Sequence, residues 1–342
     1  MIVVIALLVI VTAVAALLGY RKLGQRRVAR ALAIDTPNGI VEAGYVKIGG
    51  VDQWIQIRGE DRANPVILVL HGGPGSPYAI FTPVLRSWER HFTVVQWDRR
   101  GAGKTFSRNG KEELSFERML DDAVEVTEYL RQHLAKDKII LMAGSMGTII
   151  GVPLAQRRPD LFSAYVGTDN FVDMLQNEAV SYRMTLDRVR AAGNAKALAA
   201  LERIGGDPAR WDLRAWEVKM RWTMATDPET PGIETKLIFP LVLTNPAYSL
   251  RDVLSFGRGF TYSKQQLFKE WMAFDARATG TVFEVPVFLF QGDNDGLTVT
   301  GLAEEYLAEI EAPVKRMALI EHGSHFVAFT RPEQFLAELL RI

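Results

Sequence analysis

Residues 138–148 read Lys138-Ile-Ile-Leu-Met-Ala-Gly-Ser145-Met-Gly-Thr148, and they are the segment from which the fold is most directly predicted. Its apolar half predicts a buried strand, and the small residues after it predict a sharp turn into a helix. A serine hydroxyl is a weak nucleophile, so catalysis needs it lifted from the strand beside a base and backbone N–H donors. Such a turn requires small side chains two residues either side of the serine, where Ala143 and Gly147 stand. We therefore predict that Ser145 is a catalytic nucleophile.

A serine nucleophile needs a base, and the chain has 5 histidines. His325 follows Met317-Ala-Leu-Ile320, an apolar run that predicts the last strand of a sheet, and it precedes a helical pattern that begins at Pro332. A loop after the last strand is where a hydrolase built on this turn keeps its base. His322 lies in the same loop and is the alternative. We predict that His325 is the base.

The imidazole of the base needs a carboxylate that orients it and stabilises its charged form. The run Pro286-Val-Phe-Leu-Phe-Gln-Gly292 predicts a strand, and Asp295 follows it at a Gly-x-x-Asp spacing. Asp293 is closer to the strand and can cap the turn, and Asp169 is a more distant alternative. With Asp295 as the acid, the chain order is serine, aspartate, histidine, which is the order of the α/β-hydrolases.

The oxyanion formed during attack needs two backbone N–H donors. The run Pro65-Val-Ile-Leu-Val-Leu70 predicts an early strand, and the glycine-rich loop His71-Gly-Gly-Pro-Gly75 follows it directly. Glycines in that loop allow the backbone to approach a tetrahedral oxygen without interference from Cβ atoms. We predict Gly73 and Met146 as the oxyanion donors.

Three segments together resemble the proline iminopeptidase family of α/β-hydrolases. The segments are His71-Gly-Gly-Pro-Gly75, Asp98-Arg-Arg-Gly-Ala-Gly-Lys-Thr105 and the turn at Ser145. The resemblance extends over roughly residues 40–342 and implies a peptidase that removes an N-terminal residue, typically proline. Three positions depart from the usual family pattern: Arg99 replaces glutamine, Ala143 replaces glycine and Met146 replaces tryptophan.

The same resemblance implies substrate-binding residues. Glu217, in Trp211-Asp-Leu-Arg-Ala-Trp-Glu217, resembles a family glutamate that binds the free α-amine of the substrate. An ammonium group taken from water into a closed pocket needs such a carboxylate partner. Glu229 and Glu234 are both available as a second acid, and the choice between them stays open. We also assign His71 and Gly72 to substrate binding.

The alternation of apolar runs with helical patterns predicts the α/β-hydrolase fold, with a doubly wound, mostly parallel sheet. Residues 40–170 and 281–342 form the core, and residues 171–280 form a helical cap over the serine. An antiparallel hairpin at residues 45–57 precedes six strands, expected near residues 66–71, 92–97, 138–143, 163–167, 286–291 and 315–320.

Composition excludes several classes of function. Lys and Arg number 40 and Asp and Glu number 40, so no net charge favours nucleic acid. The chain has no cysteine, which excludes a thiol nucleophile and disulfides. His322 and His325 lack a third ligand in any obvious motif, and Gly103-Lys-Thr105 lacks the glycine spacing of a phosphate-binding loop. We expect no metal and no organic cofactor.

The N-terminal residues 1–20 predict a transmembrane anchor. Ile2 to Leu18 carry no charge, and a helix through Tyr20 would be about 28 Å long, close to the thickness of a bilayer. A basic linker, residues 21–39, follows it, so the positive-inside rule predicts a single-pass protein with its catalytic domain on the cytoplasmic side. The alternative is a signal peptide cleaved near Ala13-Val-Ala15, which would give a secreted or periplasmic protein.

The sequence therefore predicts a membrane-tethered serine hydrolase that acts on a peptide or small acyl substrate. The leading hypothesis is a proline-type aminopeptidase that works through an acyl-enzyme. An esterase or lactonase of the same fold, with no need for a free amine, is the first alternative. A non-catalytic, membrane-tethered binding protein is the second.

Overall fold

One eight-stranded sheet organises the chain, and the computed structural model describes residues 1–342. The strands are β1 (Ile40–Ile48), β2 (Val51–Gly59), β3 (Val66–Leu70), β4 (Thr93–Asp98), β5 (Ile139–Gly144), β6 (Phe162–Thr168), β7 (Val287–Gly292) and β8 (Lys315–Ile320). Their spatial order is β1-β2-β4-β3-β5-β6-β7-β8. β1 and β2 form the predicted hairpin, β2 pairs antiparallel with β4, and all other neighbours are parallel. The predicted α/β-hydrolase fold is confirmed.

The connections between strands are mainly helical. The helices are α1 (Ile2–Ala31), α2 (Gly103–Asn109), α3 (Phe116–His133), α4 (Thr148–Arg157), α5 (Met174–Ala191), α6 (Ala195–Ile204), α7 (Leu213–Ala225), α8 (Phe239–Thr244), α9 (Leu250–Met272), α10 (Thr300–Glu309), α11 (Val327–Thr330) and α12 (Pro332–Leu339). A π-helical turn, Glu234–Ile238, leads into α8. Side-chain caps define several helix starts, and at α9 Ser249 and Asp252 form a reciprocal capping box.

The sheet has an apolar layer on each face. Leu68 and Leu70 of β3 belong to the cluster that includes residues of α3 and α4. Ile67 and Val69 point the other way, into a cluster with residues of α11 and α12. A parallel strand covered on both faces must be apolar at every position, which is why these strands were visible as continuous apolar runs.

The cap consists of helices α5 to α9, which lie between β6 and β7 in the chain. Trp216 and Trp271 pack with ring centroids 5.2 Å apart. Beside them, Lys219 and Glu178 form an ion pair of 2.6 Å that is completely buried. The tryptophans therefore pack the interior of the cap, as aromatic residues at helical spacing usually do.

Helix α1 is longer than the sequence analysis expected. The apolar segment and most of the expected basic linker form one continuous helix that ends at Ala31. The segment expected to be a linker is helical up to Ala31 because Arg, Lys, Gln and Ala are good helix formers and no proline interrupts them. An 18-residue window of α1 has a mean hydropathy of 3.1, and none of that window is buried. The helix is therefore long and apolar enough to span a membrane.

Helix α4 packs so closely against β5 that the contact has no room for an additional methyl group. A Cβ added at Gly151 of α4 would lie 2.5 Å from the Cβ of Ala143 and 3.0 Å from the ring of Tyr165. A Cβ added at Gly147 would collide with the carbonyl oxygen of Leu70. The alanine that stands where the proline iminopeptidase pattern has glycine is therefore accommodated by a glycine in the facing helix.

We predict that Gly151→Ala lowers the free energy of unfolding by about 1–3 kcal/mol, because the added methyl group overpacks this contact. Adding Ala143→Gly should restore most of the loss, since the second change removes the opposing methyl group. Gly257 in α9 is the matched control, because nothing lies within 4 Å of a Cβ there. Gly257→Ala should raise stability by about 0.5–1 kcal/mol. Chemical denaturation in detergent measures all three, and equal effects of Gly151→Ala and Gly257→Ala would contradict the prediction.

Candidate active site

Ser145 lies on a strained turn at the end of β5. Its φ of +52° is in the left-handed region, which a residue with a side chain adopts only when its surroundings impose it. A short 3₁₀ turn, Ser145–Gly147, then leads into α4. The turn therefore has the strand-to-helix geometry that lifts a serine hydroxyl out of the sheet.

The structure brings the three predicted triad residues together. The Nε2 atom of His325 is 3.0 Å from the Oγ of Ser145. On the other side of the ring, Nδ1 is 3.0 Å from the Oδ2 of Asp295. All three side chains are buried. The hydroxyl, imidazole and carboxylate form one hydrogen-bonded line, which is the arrangement needed to move a proton from serine to histidine.

Asp295 is held by the turn between β7 and α10. Its Oδ1 accepts hydrogen bonds from the backbone amides of Leu297 at 2.8 Å and Thr298 at 2.9 Å. The hydroxyl of Thr298 donates to Oδ2. Asp293 has a different role, since it accepts hydrogen bonds from the backbone amides of His322 and Gly323. The two carboxylates therefore divide as the sequence indicated: one faces the histidine and the other caps a turn.

The loop after β8 carries the base on constrained backbone. His322 and Phe326 both have positive φ values, of 52° and 69°. His322 is exposed and makes its hydrogen bond through its backbone amide, whereas His325 points inward. The structure thus selects His325 between the two histidines of this loop as the partner of Ser145.

Asp169, considered from sequence only as an alternative acid, lies beside the triad without replacing Asp295. It follows β6, has a φ of +50°, and accepts a hydrogen bond of 3.2 Å from the backbone amide of Phe326. Burial raises the pKa of Asp169 to about 7; His325 opposes this shift and Asp295 adds to it. The side-chain nitrogen and oxygen atoms of Asp169, Asp295 and His325 that could bind a cation lie within 4.8 Å of one another. The Nδ1 of His325 is already engaged by Asp295, so this group is better suited to proton transfer.

A concentration of negative charge surrounds the base. Burial lowers the pKa of His325, but the carboxylates of Asp295, Asp169 and Asp227 together raise it above its ordinary value. Asp227 was not identified from sequence. It lies in the cap after α7, is buried, and accepts a hydrogen bond from the hydroxyl of Ser324 next to the base. No local sequence pattern identifies Asp227, because its contact with Ser324 joins the cap to the loop after β8.

The cap closes over the triad. A small cavity between cap and core has His325 in its wall, and the other residues that define it include Thr223, Met224, Asp227, Ile233 and Leu297. Beside the glycine-rich loop, the ring of Phe260 in α9 lies 3.1 Å from the position of a Cβ on Gly73. Residues of the cap therefore lie beside both His325 and the glycine-rich loop.

The glycine-rich loop lies against the serine as predicted. A Cβ on Gly72 would lie 2.7 Å from the Cβ of Ser145, so only glycine fits there. Gly73 has a φ of +35°, which also favours glycine. The backbone hydrogen bonds of turns and loops do not engage the amides of Gly73 or Met146. These two amides are thus available for a substrate oxygen.

His71, which the sequence analysis assigned to substrate binding, is held inside the core by its neighbours. Its side chain is completely buried, and Nδ1 lies 2.9 Å from the carbonyl oxygen of Gly72. Arg99 donates to the carbonyl oxygen of His71 and lies 3.3 Å from its Nε2. Burial, and then the Arg99 guanidinium, hold the pKa of His71 well below its ordinary value. Arg99 thus holds the first residue of the glycine-rich loop in place.

The structure does not place the predicted amine-binding residue in contact with the triad. Glu217, on α7, forms an ion pair with Lys264 of α9, and its side chain is 41% exposed. Glu229 lies nearer the triad loops, 3.4 Å from the amide nitrogen of Asn294 and 3.7 Å from Arg331. Glu234 begins the π-helical turn before α8. Glu217 therefore already has a cationic partner in this structure.

Sequence comparisons place this geometry among known proteins. The alpha/beta hydrolase fold family matches residues 65–332. The probable aminopeptidase YbaC of Bacillus subtilis (strain 168) is 30% identical over 301 residues, which is 86% of this chain and 94% of that protein. A proline iminopeptidase of Clostridioides difficile (strain 630) is 24% identical over 155 residues, 43% of this chain and 52% of that protein.

Solved structures share the fold at lower identity. A proline iminopeptidase-related protein of Thermus thermophilus has a TM-score of 0.60 at 20% identity, with 88% of this chain and 96% of that chain covered. A membrane phospholipase A, a bacterial virulence factor, has a TM-score of 0.63 at 16% identity, with 100% of this chain and 97% of that chain covered. The chain belongs to the α/β-hydrolase fold family, and its relatives include proteins named proline iminopeptidase and probable aminopeptidase.

Proposed function

We propose that the protein is a serine hydrolase that removes an N-terminal residue, typically proline, from peptides through an acyl-enzyme. The observation that carries the proposal is the line of Ser145, His325 and Asp295, with 3.0 Å at each hydrogen bond. The names of the relatives support the choice of an aminopeptidase over other reactions of this fold.

In the proposed mechanism, His325 takes the proton of Ser145 as the hydroxyl attacks the acyl carbon of the N-terminal residue. Asp295 orients the ring and stabilises the imidazolium. His325 then protonates the leaving amine, and the shortened peptide departs. Water attacks the acyl-enzyme by the same route, and the N-terminal amino acid is released. These steps require only residues of this chain.

The developing oxyanion is assigned to the amides of Gly73 and Met146. Both flank the serine, one on the glycine-rich loop and the other directly after the nucleophile. The cap covers this region and reduces the access of water to it. Hydrogen bonds to the oxyanion therefore stabilise it more than they would in open solvent. The raised pKa of His325 also favours the attack, because the surroundings of the ring stabilise the imidazolium that forms during it.

Recognition of the substrate amine is assigned to Glu217, as the resemblance implies. Its carboxylate must then exchange Lys264 for the substrate ammonium. The exchange is feasible because Lys264 also lies 4.9 Å from the ring centroid of Phe260, which offers the displaced cation a second partner. Phe260 contacts the oxyanion loop, so the proposed amine site and the loop are linked through α9.

A hydrolase of acyl esters is the second candidate. The Lys264–Glu217 ion pair favours it, because a neutralised carboxylate attracts an ammonium group only weakly. The likeness to a membrane phospholipase A favours it too, since that likeness extends over the whole chain, α1 included. An ester substrate would use the same triad and oxyanion amides without an amine site.

We place the protein in a membrane as a single-pass protein, with the catalytic domain on the cytoplasmic side. The uncharged part of α1 is followed by Arg21, Lys22, Arg26, Arg27 and Arg30, the distribution found on the cytoplasmic side of membrane helices. Signal cleavage, which would give a secreted or periplasmic protein, is the competing location. Mass measurement of the N-terminus of the purified protein distinguishes the two.

Ser145→Ala should reduce hydrolysis by at least about 10³-fold, because the nucleophile is lost while the oxyanion amides remain. It should also abolish labelling by a fluorophosphonate, measured by intact-protein mass, with the unfolding midpoint unchanged. Ser87→Ala, outside the site, is the control and should retain both hydrolysis and fluorophosphonate labelling. Full labelling of Ser145→Ala would remove the assignment, and an inert wild type would favour the non-catalytic binding protein.

The base must be neutral to accept a proton, so kcat/KM should rise with pH through a midpoint above the ordinary histidine value. Asp169→Asn removes a negative charge that raises the pKa of His325, so the midpoint should move to lower pH. Glu304→Gln, exposed on α10, is the control and should leave the midpoint in place. A midpoint unaffected by Asp169→Asn would contradict the proposed charge coupling.

Three substrates separate the candidate reactions: a proline anilide, its N-acetylated form and a short acyl ester. An aminopeptidase should lose turnover on acetylation, and Glu217→Gln should raise KM for the free anilide by about tenfold, equivalent to about 1.4 kcal/mol. Glu202→Gln, exposed on α6, is the control for a cap carboxylate. Turnover of the ester alone, with no effect of Glu217→Gln, would overturn the aminopeptidase and support the ester hydrolase.

A further inference from the structure

The basic end of α1 is anchored on the cap. The guanidinium of Arg21 is buried and donates hydrogen bonds to the carbonyl oxygens of Leu243 and Tyr248, each at 2.5 Å. One turn later, the side chain of Gln25 donates to the carbonyl oxygen of Asn245 at 3.0 Å. These acceptors all lie at the end of α8 or in the link between α8 and α9. The helix that carries the apolar N-terminus is therefore joined directly to the cap.

Close packing reinforces this joint. A Cβ on Gly24 would collide with the side chain of Thr244, the last residue of α8. The two helices thus approach each other at a glycine, between the contacts of Arg21 and Gln25. Polar contacts on both sides of a tight backbone approach fix the position of α1 along the cap as well as its rotation.

The joint sets the height of the cap above a bilayer. The uncharged segment of α1 ends near Tyr20, and Arg21 makes the first contact with the cap. One helical residue rises about 1.5 Å, so the α8–α9 link lies within a few ångströms of the level where the apolar helix ends. If residues 2–18 lie in hydrocarbon, the link lies among the lipid headgroups.

Exposed apolar side chains surround the joint. Phe239 at the start of α8 is 61% exposed, and Leu250 and Leu254 in the first turns of α9 are 48% and 75% exposed. Leu250 and Leu254 are four residues apart and therefore share one face of α9. Large apolar side chains with this exposure favour a surface that is covered when the protein is in place. We call Phe239, Leu250 and Leu254 the apolar rim.

Basic residues accompany the apolar rim. Lys22, Arg26 and Arg27 are exposed or half-exposed on α1, Lys236 is exposed just before α8, and Arg251 and Arg258 lie on α9. Leucine and phenylalanine beside lysine and arginine are the composition of helices that lie in the interface of an anionic membrane. The basic side chains can reach phosphate groups while the apolar rim enters the acyl boundary.

We propose that the apolar rim and its flanking basic residues form a membrane-binding surface, which seats the cap on the anionic bilayer that holds α1. This inference rests on the proposed membrane location and is independent of the choice between peptide and ester substrates. The occupant is the bilayer itself, because the surface is continuous with the helix inserted in it. Phe260, which packs beside Gly73, lies six residues after Leu254 on the same helix, about 9 Å along its axis.

The natural chain has no cysteine, so single cysteines report one position each. Leu254→Cys and Phe239→Cys test the rim, Val9→Cys tests insertion of α1, and Val282→Cys is the matched control. Val282 is 61% exposed, like Phe239, but lies next to the β7 end of the core rather than beside α1. Each variant of the full chain is labelled with an environment-sensitive fluorophore and reconstituted into phosphatidylcholine–phosphatidylglycerol vesicles. Nitroxide lipids then measure contact with the bilayer.

The labels at positions 254 and 239 should be quenched and blue-shifted, with quenching at position 9 and none at position 282. Arg21→Ala should reduce quenching at position 254 while position 9 stays quenched, because the joint is lost but the anchor remains. Quenching at position 9 with none at 254 and 239 would overturn the membrane-binding surface and leave the anchor intact. No quenching at position 9 would overturn both the membrane-binding surface and the membrane anchor. Fluorophosphonate labelling of Ser145 tests the proposed hydrolase separately.

Discussion

The left-handed backbone of Ser145 is the constraint on which the site depends. Close packing on both sides of the turn imposes it: Gly147 lies against the carbonyl oxygen of Leu70 at the end of β3, and Gly151 of α4 lies against Ala143 of β5. Because extra volume at either glycine would push α4 from the sheet, packing holds the strain at the serine. The hydroxyl then meets a histidine 180 residues later in the chain.

The second constraint is electrostatic. Three buried carboxylates lie near His325, and each has a different set of hydrogen-bond partners. Asp295 accepts hydrogen bonds from two backbone amides and a hydroxyl, and Asp227 accepts them from two backbone amides and Ser324. Asp169 accepts one from the backbone amide of Phe326, and burial raises its pKa to about 7. Buried charge is tolerated only with such partners. The result is an environment that favours the charged form of the imidazole.

The cap connects the N-terminal helix α1 to the loops near Ser145. Helix α1 bonds to the segment before α9, and within that segment the hydroxyl of Tyr248 donates to Asp98 at the end of β4. Farther along α9, Ser263 donates to the carbonyl oxygen of Gly101, and Phe260 lies against Gly73 and Gly75 of the glycine-rich loop. A single helix therefore contacts both the loop after β4 and the glycine-rich loop. The position of the N-terminal helix and the shape of the site are mechanically linked through it.

The strands, the turn at Ser145 and the chain order of Ser145, Asp295 and His325 could be predicted from the sequence, because apolar runs and small-residue turns are local patterns. The apolar helix over residues 2–18 could be predicted in the same way. Three contacts could not be predicted: Arg99 with His71, Lys264 with Glu217, and Asp227 with Ser324 next to His325. Those partners are 28, 47 and 97 residues apart. Local pattern encodes burial and backbone hydrogen bonding, whereas pairing between distant side chains follows from how the cap and core pack.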